Sequence, residues 1–416
     1  MIEKSKISQT LSSLKTRNFR LYITGQFIST IGTWMQSIGQ AWLVLKITNS
    51  GTALGLVMAC QTLPVLFFGP FGGVIADRFL KRNLLFITQS IAGLLALTLG
   101  ILVYTNLVQI WMVYLLALGL GLVNAFDNPA RQTFIPEMVA KDQLMNAVSL
   151  NSIQVNLSRV IGPTIAAVLI ASFGLAPLFF FNALSFVAVI VTLYQMDIDK
   201  LNIRPMINRV KGQMIEGIRY IKSTPILFYT LVMMAIIGTL TYEFGVTLPL
   251  LAKFTFHGTA STYALLSAAL GLGSVLGGIY TANRKKVSFS ILTKNAMLFG
   301  VVVLLFAFSP TFWIALLLLI SVGFFSINFL SFANVILQTN SIPEMRGRVM
   351  SFWAVAFLGT TPIGGPIIGW IGQNIGTRIG VMVGGVAALV ASGIGMMAIK
   401  RNKDLIMPPN TNNIDK

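Results

Sequence analysis

One acidic side chain lies deep inside a long apolar stretch of the sequence. Glu243 falls in the apolar run 226–250, and no other Asp or Glu lies so far inside such a run. A charged carboxylate in the middle of a bilayer costs about 2.5–3.5 kcal/mol, whereas the protonated acid is neutral. Glu243 is therefore a candidate proton-coupling site, or a direct partner for a cationic group of a solute. The alternative is a structural carboxylate near the outer interface, hydrogen-bonded to Tyr242 or to neighbouring threonines.

Uncharged polar side chains form a stripe along the first apolar run. They recur every three or four residues, so they share one helical face: Gln26, Ser29, Thr33, Gln36, Ser37 and Gln40. A polar face in lipid points to the bundle interior or to water. Amides and hydroxyls suit hydrogen bonding to a neutral or amphipathic solute, and hydrogen bonds between helices are the alternative. Further candidates for the same cavity are Thr239, Tyr242 and Trp353, although membrane aromatics more often pack or anchor.

Arg159 is the only cation that lies deep inside an apolar run and not near one of its ends. Asp127, at the end of the fourth run, and Glu137 are its candidate partners. A buried pair would be a gate that breaks when the cavity opens inward, and substrate binding by Arg159 is the alternative. Five charges of the turns on the same side are predicted to link the two halves of the chain in an outward-facing state: Arg131, Glu137, Glu344, Arg346 and Arg348.

A very short charged turn separates the apolar runs 52–76 and 84–105. It contains Asp77 and Arg78, followed by Lys81 and Arg82. Lys and Arg at such a turn mark the cytoplasmic side of the membrane. Because the cations alone would keep the turn soluble, Asp77 is predicted to cap a helix N-terminus, where a carboxylate accepts free N–H groups. An ordinary charged turn is the alternative.

The elements that position these residues are membrane-spanning helices. Of the 416 residues, 55% are apolar and 10% are charged, whereas soluble domains carry about 25% charged residues. Twelve apolar runs have the length that crosses about 30 Å of hydrocarbon as a helix: 19–43, 52–76, 84–105, 108–127, 144–172, 175–195, 226–250, 261–282, 290–309, 311–335, 347–374 and 378–400. They occupy nearly the whole chain and leave no room for a soluble catalytic domain.

The distribution of cations predicts the orientation. Of the 30 Lys and Arg residues, only Lys46, Lys253 and Arg378 fall in turns on one side of the membrane, and Arg159 is embedded. All the others lie in the N-terminal arm, the alternate turns and the C-terminal tail, which is the asymmetry of the positive-inside rule. We therefore expect both termini in the cytoplasm. The net charge of +18 is ascribed to orientation and anionic lipid, and no nucleic-acid partner is predicted.

Several classes of enzyme are excluded by motif and composition. One Cys and one His rule out an internal disulfide and argue against a His/Cys metal site. The chain contains no phosphate-binding Gly-x-x-x-x-Gly-Lys-Ser/Thr loop, no Gly-x-Ser-x-Gly elbow and no His-Glu-x-x-His. We predict no catalytic residues, no metal and no cofactor. A membrane-embedded enzyme or a sensor is kept only as a remote alternative.

The two halves of the chain resemble each other. Residues 31–39 align with 237–245 at an offset of 206, and Ile-Pro-Glu-Met at 135–138 recurs at 342–345. Other pairs follow in the same order: Gly72 with Gly278, Arg78 with Arg284, Gln132 with Gln338, and Gly162-Pro163 with Gly365-Pro366. The matches predict an all-α polytopic membrane protein of twelve helices in two six-helix bundles, 1–195 and 226–400, related by a parallel repeat.

The bundles are joined by the linker 196–225, and a flexible tail follows at 401–416. Apolar residues of the linker recur at helical spacing: Ile207, Val210, Met214, Ile218 and Ile221. Cations lie largely on the other face, so the pattern predicts an amphipathic helix on the inner membrane surface.

The charged turn resembles the loop between the second and third helices of major facilitator superfamily transporters. Gly73, Asp77, Arg78, Lys81 and Arg82 match that loop, whereas Leu80 stands where the family usually has Gly. The resemblance implies that Asp77 caps the helix starting near 346–349 and that Lys81 pairs with Asp127. Gly162 and Pro163 likewise resemble the Gly-Pro element of the superfamily's antiporters. In this chain Ala166 and Ala167 stand where that element has its later glycines.

The whole chain resembles the subgroup of the enterobactin exporter and the macrolide efflux proteins. Six segments carry this likeness: 14–20, the Asp77 loop, 128–132, 146–147, 216–220 and 346–348. The resemblance implies a multi-pass transporter of the bacterial cytoplasmic membrane that works by alternating access. We expect a monomer that exports an amphipathic small molecule, such as a drug or siderophore, in exchange for protons. Proton symport or facilitated uptake of a nutrient is the alternative.

Overall fold

The computed structural model describes residues 12–202, 213–284 and 287–401. Within these ranges the chain is helical and forms no strand. The helices are α1 (Arg17–Thr48), α2 (Gly51–Arg78), α3 (Lys81–Tyr104), α4 (Ile110–Met138), α5 (Leu144–Phe173), α6 (Ala176–Tyr194), α7 (Gln213–Ser223), α8 (Pro225–Leu240), α9 (Phe244–Leu250), α10 (Ala260–Ala282), α11 (Phe289–Ala307), α12 (Phe312–Thr339), α13 (Pro343–Leu358), α14 (Thr361–Asn374) and α15 (Thr377–Arg401).

Eleven helical stretches of the described chain are long and apolar enough to cross a membrane. They account for eleven of the twelve predicted spans. The first predicted span is the 32-residue α1, which is long enough to cross but carries the polar stripe. A helix of this length with a polar face belongs against other helices, because polar side chains on a lipid-facing surface are costly.

Two predicted spans are interrupted in the structure. The run 226–250 was expected to be one helix, but α8 ends at Leu240 and α9 begins at Phe244, followed by a π-helical turn at Leu251–Thr255. The run 347–374 is broken between α13 and α14 at Gly359 and Thr360. Pro362 follows this second break; proline has no N–H for a helical bond to the carbonyl four residues earlier, here that of Leu358 at the end of α13. Hydropathy averaged over a whole span does not reveal such breaks, because a few polar residues change the average little.

The described residues fall into two units by their contacts. The first unit contains residues 12–49, 60–202 and 259–268, and the second contains 50–59, 213–258, 269–284 and 287–401. In the first unit α1 packs against α5 and α6, and α3 packs against α4 and α6. In the second unit α11 packs against α12 and α15, and α8 packs against α13 and α15. The division into bundles 1–195 and 226–400 stays a prediction.

The C-terminal part of the predicted amphipathic linker is the helix α7. It packs against α13, since Gly217 lies beside Arg348 and the Tyr220 hydroxyl accepts a hydrogen bond from the Ile342 N–H at 3.1 Å. Ile215 remains 68% exposed, which leaves an apolar side chain for the membrane surface. Predicted features at Ile207, Val210 and the tail from 402 onward lie outside the described residues, as does the Met214 side chain.

Small residues bring α10 and α12 into backbone contact. A Cβ atom on Gly273 would collide with the carbonyl oxygen of Ile320, and one on Gly323 would collide with that of Leu270. Glycines of this kind allow the close helix packing that is common in membranes. Each helix thus places a glycine against the backbone of the other, so a side chain on either glycine would push the two helices apart.

We expect Gly273→Ala to destabilise the protein by about 1–3 kcal/mol, the usual effect of overpacking a tight contact. The matched control is Gly278→Ala on the same helix, where a Cβ atom would meet nothing within 4 Å. Thermal unfolding in detergent should show a lower midpoint for the first variant only. Equal midpoints for both variants would contradict the inferred backbone contact.

Candidate functional site

A polar cavity of about 300 Å³ lies within the first unit. Four residues of the predicted stripe line it: Thr33, Gln36, Ser37 and Gln40. Thr30 of α1 also lines it, and the remaining polar wall comes from α2, α3, α4 and α6: Gln61, Gln89, Asn124, Asp127, Asn128, Arg131 and Asn182. The cavity therefore gathers side-chain amides from five helices around one space.

Sequence reasoning missed most of the amides in this wall. Gln61, Gln89, Asn124 and Asn182 each stand nearly alone in an apolar run, so none of them forms a stripe. The pattern that could have revealed them is a single amide per helix, since an isolated amide in lipid needs a partner inside the protein. Its position in the fold, and not its spacing, then decides whether the amide reaches the cavity.

Asp127 is the centre of a buried hydrogen-bond network at the cavity wall. Its carboxylate accepts hydrogen bonds from Thr88 at 2.6 Å, from Gln89 at 2.8 Å and from the Arg131 guanidinium. Arg131 also donates to the Gln26 side-chain oxygen at 2.8 Å. Gln26, which was predicted to line the cavity, is thus a buried acceptor for Arg131. The network compensates the charge of Asp127, which is fully buried.

The Lys81 ammonium lies 2.6 Å from the carboxylate of Glu137, and both side chains are largely buried. The family resemblance had implied a Lys81–Asp127 pair, and that pairing is wrong. Asp127 lies level with Thr88, about two helical turns along α3 from Lys81 and hence roughly 10 Å away. Glu137 comes near the end of α4, where the antiparallel helix pair brings it level with the start of α3.

The other residues of the charged turn have separate positions. Arg82 donates to the carbonyl oxygens of Leu193 at 2.6 Å and Tyr194 at 3.2 Å. It therefore satisfies the free carbonyls at the end of α6, where a cation also meets the favourable end of the helix dipole. Gly73 lies within α2, and Arg78 is exposed at its last residue. The predicted capping role of Asp77 rests on a side chain outside the described residues.

Arg159 stacks on the indole ring of Trp34, with the guanidinium carbon 5.5 Å from the ring centroid. The predicted partners Asp127 and Glu137 are instead paired with Arg131 and Lys81. One turn further on, Gly162 lies so close to α1 that a Cβ atom would come within 2.5 Å of the Trp34 side chain. Gly162 therefore forms a tight contact between α5 and α1, and the next residue, Pro163, is buried.

Glu243 lies at the break between α8 and α9 in the second unit and is 3% exposed. Its backbone carbonyl accepts hydrogen bonds from the N–H groups of Val246 and Thr247, which starts α9. Thr361 hydrogen-bonds to the carboxylate. The carboxylate oxygen Oε1 is buried and has no hydrogen-bond partner among the described residues. Tyr242, one of the predicted structural partners, donates instead to the Ser326 carbonyl at 2.7 Å.

Two glycines of α14 form the surface against which the Glu243 carboxylate lies. A Cβ atom on Gly364 would be 2.9 Å from Oε1, and one on Gly365 would be 3.4 Å from Oε2. A Cβ atom on Gly364 would also collide with the Thr239 carbonyl oxygen, so no side chain fits there, whereas the distance at Gly365 is an ordinary contact. The local sequence Thr361-Pro-Ile-Gly-Gly thus supplies a hydrogen bond at its first residue and, one turn later, a glycine that leaves room for the carboxylate.

The three cavity candidates of the second unit lie around this break. Tyr242 packs in an aromatic cluster, with its ring 5.5 Å from that of Phe357 and 5.8 Å from that of Phe299. Trp353 extends the cluster, 5.6 Å from Phe357. Thr239 donates to the Ala235 carbonyl. The aromatic residues therefore hold the break in place from one side.

The two arginines of α13 that were predicted to act in gating lie in different surroundings. Arg346 is exposed, whereas Arg348 pairs with Glu216 of α7 at 2.7 Å. Because Glu216 is mostly exposed, this pair contributes little stability but helps to orient the linker helix. A role of either arginine in gating stays a prediction.

The profile of the transmembrane secretion effectors, a family of the major facilitator superfamily, matches residues 8–409. The chain belongs to this family. It is 25% identical over 345 residues to the staphyloferrin A transporter of Staphylococcus aureus, covering 80% of this chain and 84% of that protein. It is 24% identical to the enterobactin exporter EntS of Salmonella typhimurium, covering 94% and 92%.

Solved structures of major facilitator transporters share the fold. A bacterial homologue of the human lysosomal transporter Spinster aligns with a TM-score of 0.73 at 12% identity, over 94% of this chain and 98% of that one. A POT family transporter in complex with 5-aminolevulinic acid aligns with a TM-score of 0.75 at 10% identity, over 94% of this chain and 97% of that one. The chain is thus a multi-pass membrane protein with the major facilitator fold, a secondary transporter of a small molecule and not an enzyme.

Proposed function

We propose that this family member is a proton-coupled exporter of an amphipathic small molecule, such as a siderophore or a drug. Support for a siderophore comes from relatives that are named as a staphyloferrin A transporter and as enterobactin exporters. Support for proton coupling comes from the buried Glu243 carboxylate, whose Oε1 has no partner within the described chain. This carboxylate is the observation on which the proposal mainly rests.

The environment of Glu243 favours exchange of a proton over a permanent ion pair. No Lys or Arg is found to pair with this carboxylate among the described residues, so burial favours its neutral, protonated form. Deprotonation becomes favourable when water or a cationic solute reaches the site. A carboxylate that alternates between these environments can exchange one proton for solute in each transport cycle.

The break in the helix gives this exchange a structural basis. Residues 241–243 lie between two helical segments of one span, so a small rotation of α9 relative to α8 moves the carboxylate without unwinding a helix. Irregular backbone at membrane depth is tolerated where protein buries it or where it lines water. We further propose that both termini lie in the cytoplasm of a bacterium, as the distribution of cations predicts.

Inverted membrane vesicles with a pH-sensitive dye inside test this function. After energisation has acidified the lumen, enterobactin, staphyloferrin A, erythromycin or ethidium is added. We expect at least one of these solutes to enter the vesicles and to release protons from the lumen, in vesicles that contain the protein only. Entry of solute into the vesicles that persists when an ionophore collapses the proton gradient would contradict coupling. Movement of solute only out of the vesicles would indicate an uptake transporter, because the lumen of an inverted vesicle corresponds to the outside of the cell.

A further inference from the structure

The cavity of the first unit contains a buried acceptor that the chain leaves unused. Gln89 is 1% exposed, and its Nε2 donates to Asp127 at 2.8 Å. The reverse orientation would place the amide oxygen against the carboxylate, so the hydrogen bond fixes the direction of the amide. Its Oε1 is buried and has no hydrogen-bond partner among the described residues. A buried acceptor without a donor is unfavourable. Because Gln89 lines the cavity, a small shift of its amide toward the cavity would let a ligand hydroxyl stabilise this atom.

Donors are available on the same cavity wall. Arg131 uses Nε for Asp127 and Nη1 for Gln26, which leaves Nη2 as the nitrogen available to a ligand. The Gln36 oxygen accepts from Asn182 at 2.7 Å, so its Nε2 is the end that can donate. Both residues line the cavity. A guanidinium and an amide N–H together suit a carboxylate, because charge-assisted bonds from arginine are the stronger ones.

The size and polarity of the cavity narrow the ligand further. A volume of about 300 Å³ corresponds to roughly ten water molecules, enough for a small acid or for one arm of a larger solute. A wholly apolar group would suit only the apolar part of the lining, such as its leucines and Phe186, and would leave the amides unpaired, and burying unpaired polar groups is unfavourable. Asp127 balances the charge of Arg131, but the remaining guanidinium N–H groups need an acceptor, which a carboxylate provides and an ammonium group does not.

We propose that this cavity binds a hydroxycarboxylate group of the transported solute. The carboxylate accepts hydrogen bonds from Arg131 and Gln36, and the neighbouring hydroxyl donates to Oε1 of Gln89. The inference rests on the proposed function for its biological meaning, since it names the chemical group by which a solute is recognised. It makes the first unit the recognition element, separate from the Glu243 carboxylate of the second.

Equilibrium binding to the purified full-length protein tests the inference without a proton gradient. The two probes are citrate and tricarballylate, which is citrate without its hydroxyl group. We expect the wild-type protein to bind citrate at least about tenfold more tightly, since one hydrogen bond to a buried group accounts for about that factor. Equal affinity for the two acids, or no binding of citrate up to the millimolar range, would overturn the proposal.

A pair of variants tests whether Gln89 is responsible for the preference for citrate over tricarballylate. Gln89→Met removes the acceptor while keeping the length of the side chain, and it should bind both acids equally. The control is Asn328→Leu in the second unit, where another buried amide has an unpartnered oxygen away from this cavity; it should keep the tenfold preference. A preference that survives in Gln89→Met would refute the assignment. If that variant does not fold, the comparison of the two acids on wild type still decides.

The outcomes also separate this inference from the proposed function. Retained citrate preference without proton-coupled transport in vesicles would refute the function and leave the binding site. Coupled transport without citrate preference would refute the site and leave the function.

Discussion

Replacing Glu243 with Gln is expected to reduce solute-driven proton release to the level of vesicles without the protein. Gln has nearly the same shape, and it can still accept the hydrogen bond from Thr361. It fits the space against Gly364 and Gly365 and does not titrate. The substitution therefore removes proton exchange while keeping the local packing. The dye-loaded vesicles described above measure the effect directly.

The control for this experiment is Asp199→Asn, which neutralises an exposed carboxylate to which no role in transport is assigned and should leave proton release unchanged. Exchange of labelled for unlabelled solute without a proton gradient provides a second readout. A coupling residue should be dispensable for that exchange, whereas a damaged protein would lose it. Normal proton release from the Glu243→Gln protein would refute the coupling role and return Glu243 to a structural carboxylate.

Breaking the Lys81–Glu137 pair from one side is expected to be strongly destabilising. Both side chains are largely buried, at 10% and 4% exposure, so removal of one leaves an uncompensated charge. Such losses are about 3–5 kcal/mol, whereas apolar replacement of both partners is often neutral. Lys81→Met and Glu137→Leu should each lower the midpoint of thermal unfolding. The double variant should recover most of the loss.

The Arg348–Glu216 pair is the matched comparison. Glu216 is 57% exposed, and an exposed pair contributes about 0–1 kcal/mol. Glu216→Gln should therefore leave the unfolding midpoint nearly unchanged. If the double variant of Lys81 and Glu137 were as unstable as the sum of the single variants, the two side chains would not be coupled.

The sequence predicts the membrane-spanning helices well because the properties that determine them depend on the order of residues along the chain and not on tertiary contacts. A span needs about 20 apolar residues in a row, and cations collect on one side; both properties can be counted along the chain. The position of Glu243 inside its span was predictable for the same reason, because it is an isolated charge within an apolar run. Its position at a helix break was not, since the residues 240–246 contain no proline and no other pattern along the chain marks the end of α8.

Partners of charged groups were less predictable than their presence. Lys81 and Asp127 match a family pattern, but Asp127 is occupied by Arg131 one turn away, and Lys81 reaches Glu137 instead. The choice depends on the relative register of α3 and α4, which hydropathy does not determine. The amides of the cavity are a similar case, because Gln89 meets Asp127, and Asn182 meets Gln36, only after the helices have packed.

The aromatic cluster beside the helix break gives the protein a built-in optical probe. Trp353 lies against Phe357, and Phe357 lies against Tyr242, the residue next to Glu243. Indole emission responds to the polarity and packing of its surroundings, so rearrangement at the break alters the surroundings of this one ring. With the other five of the six tryptophans replaced by phenylalanine, the fluorescence of Trp353 can follow the transport cycle without an attached dye.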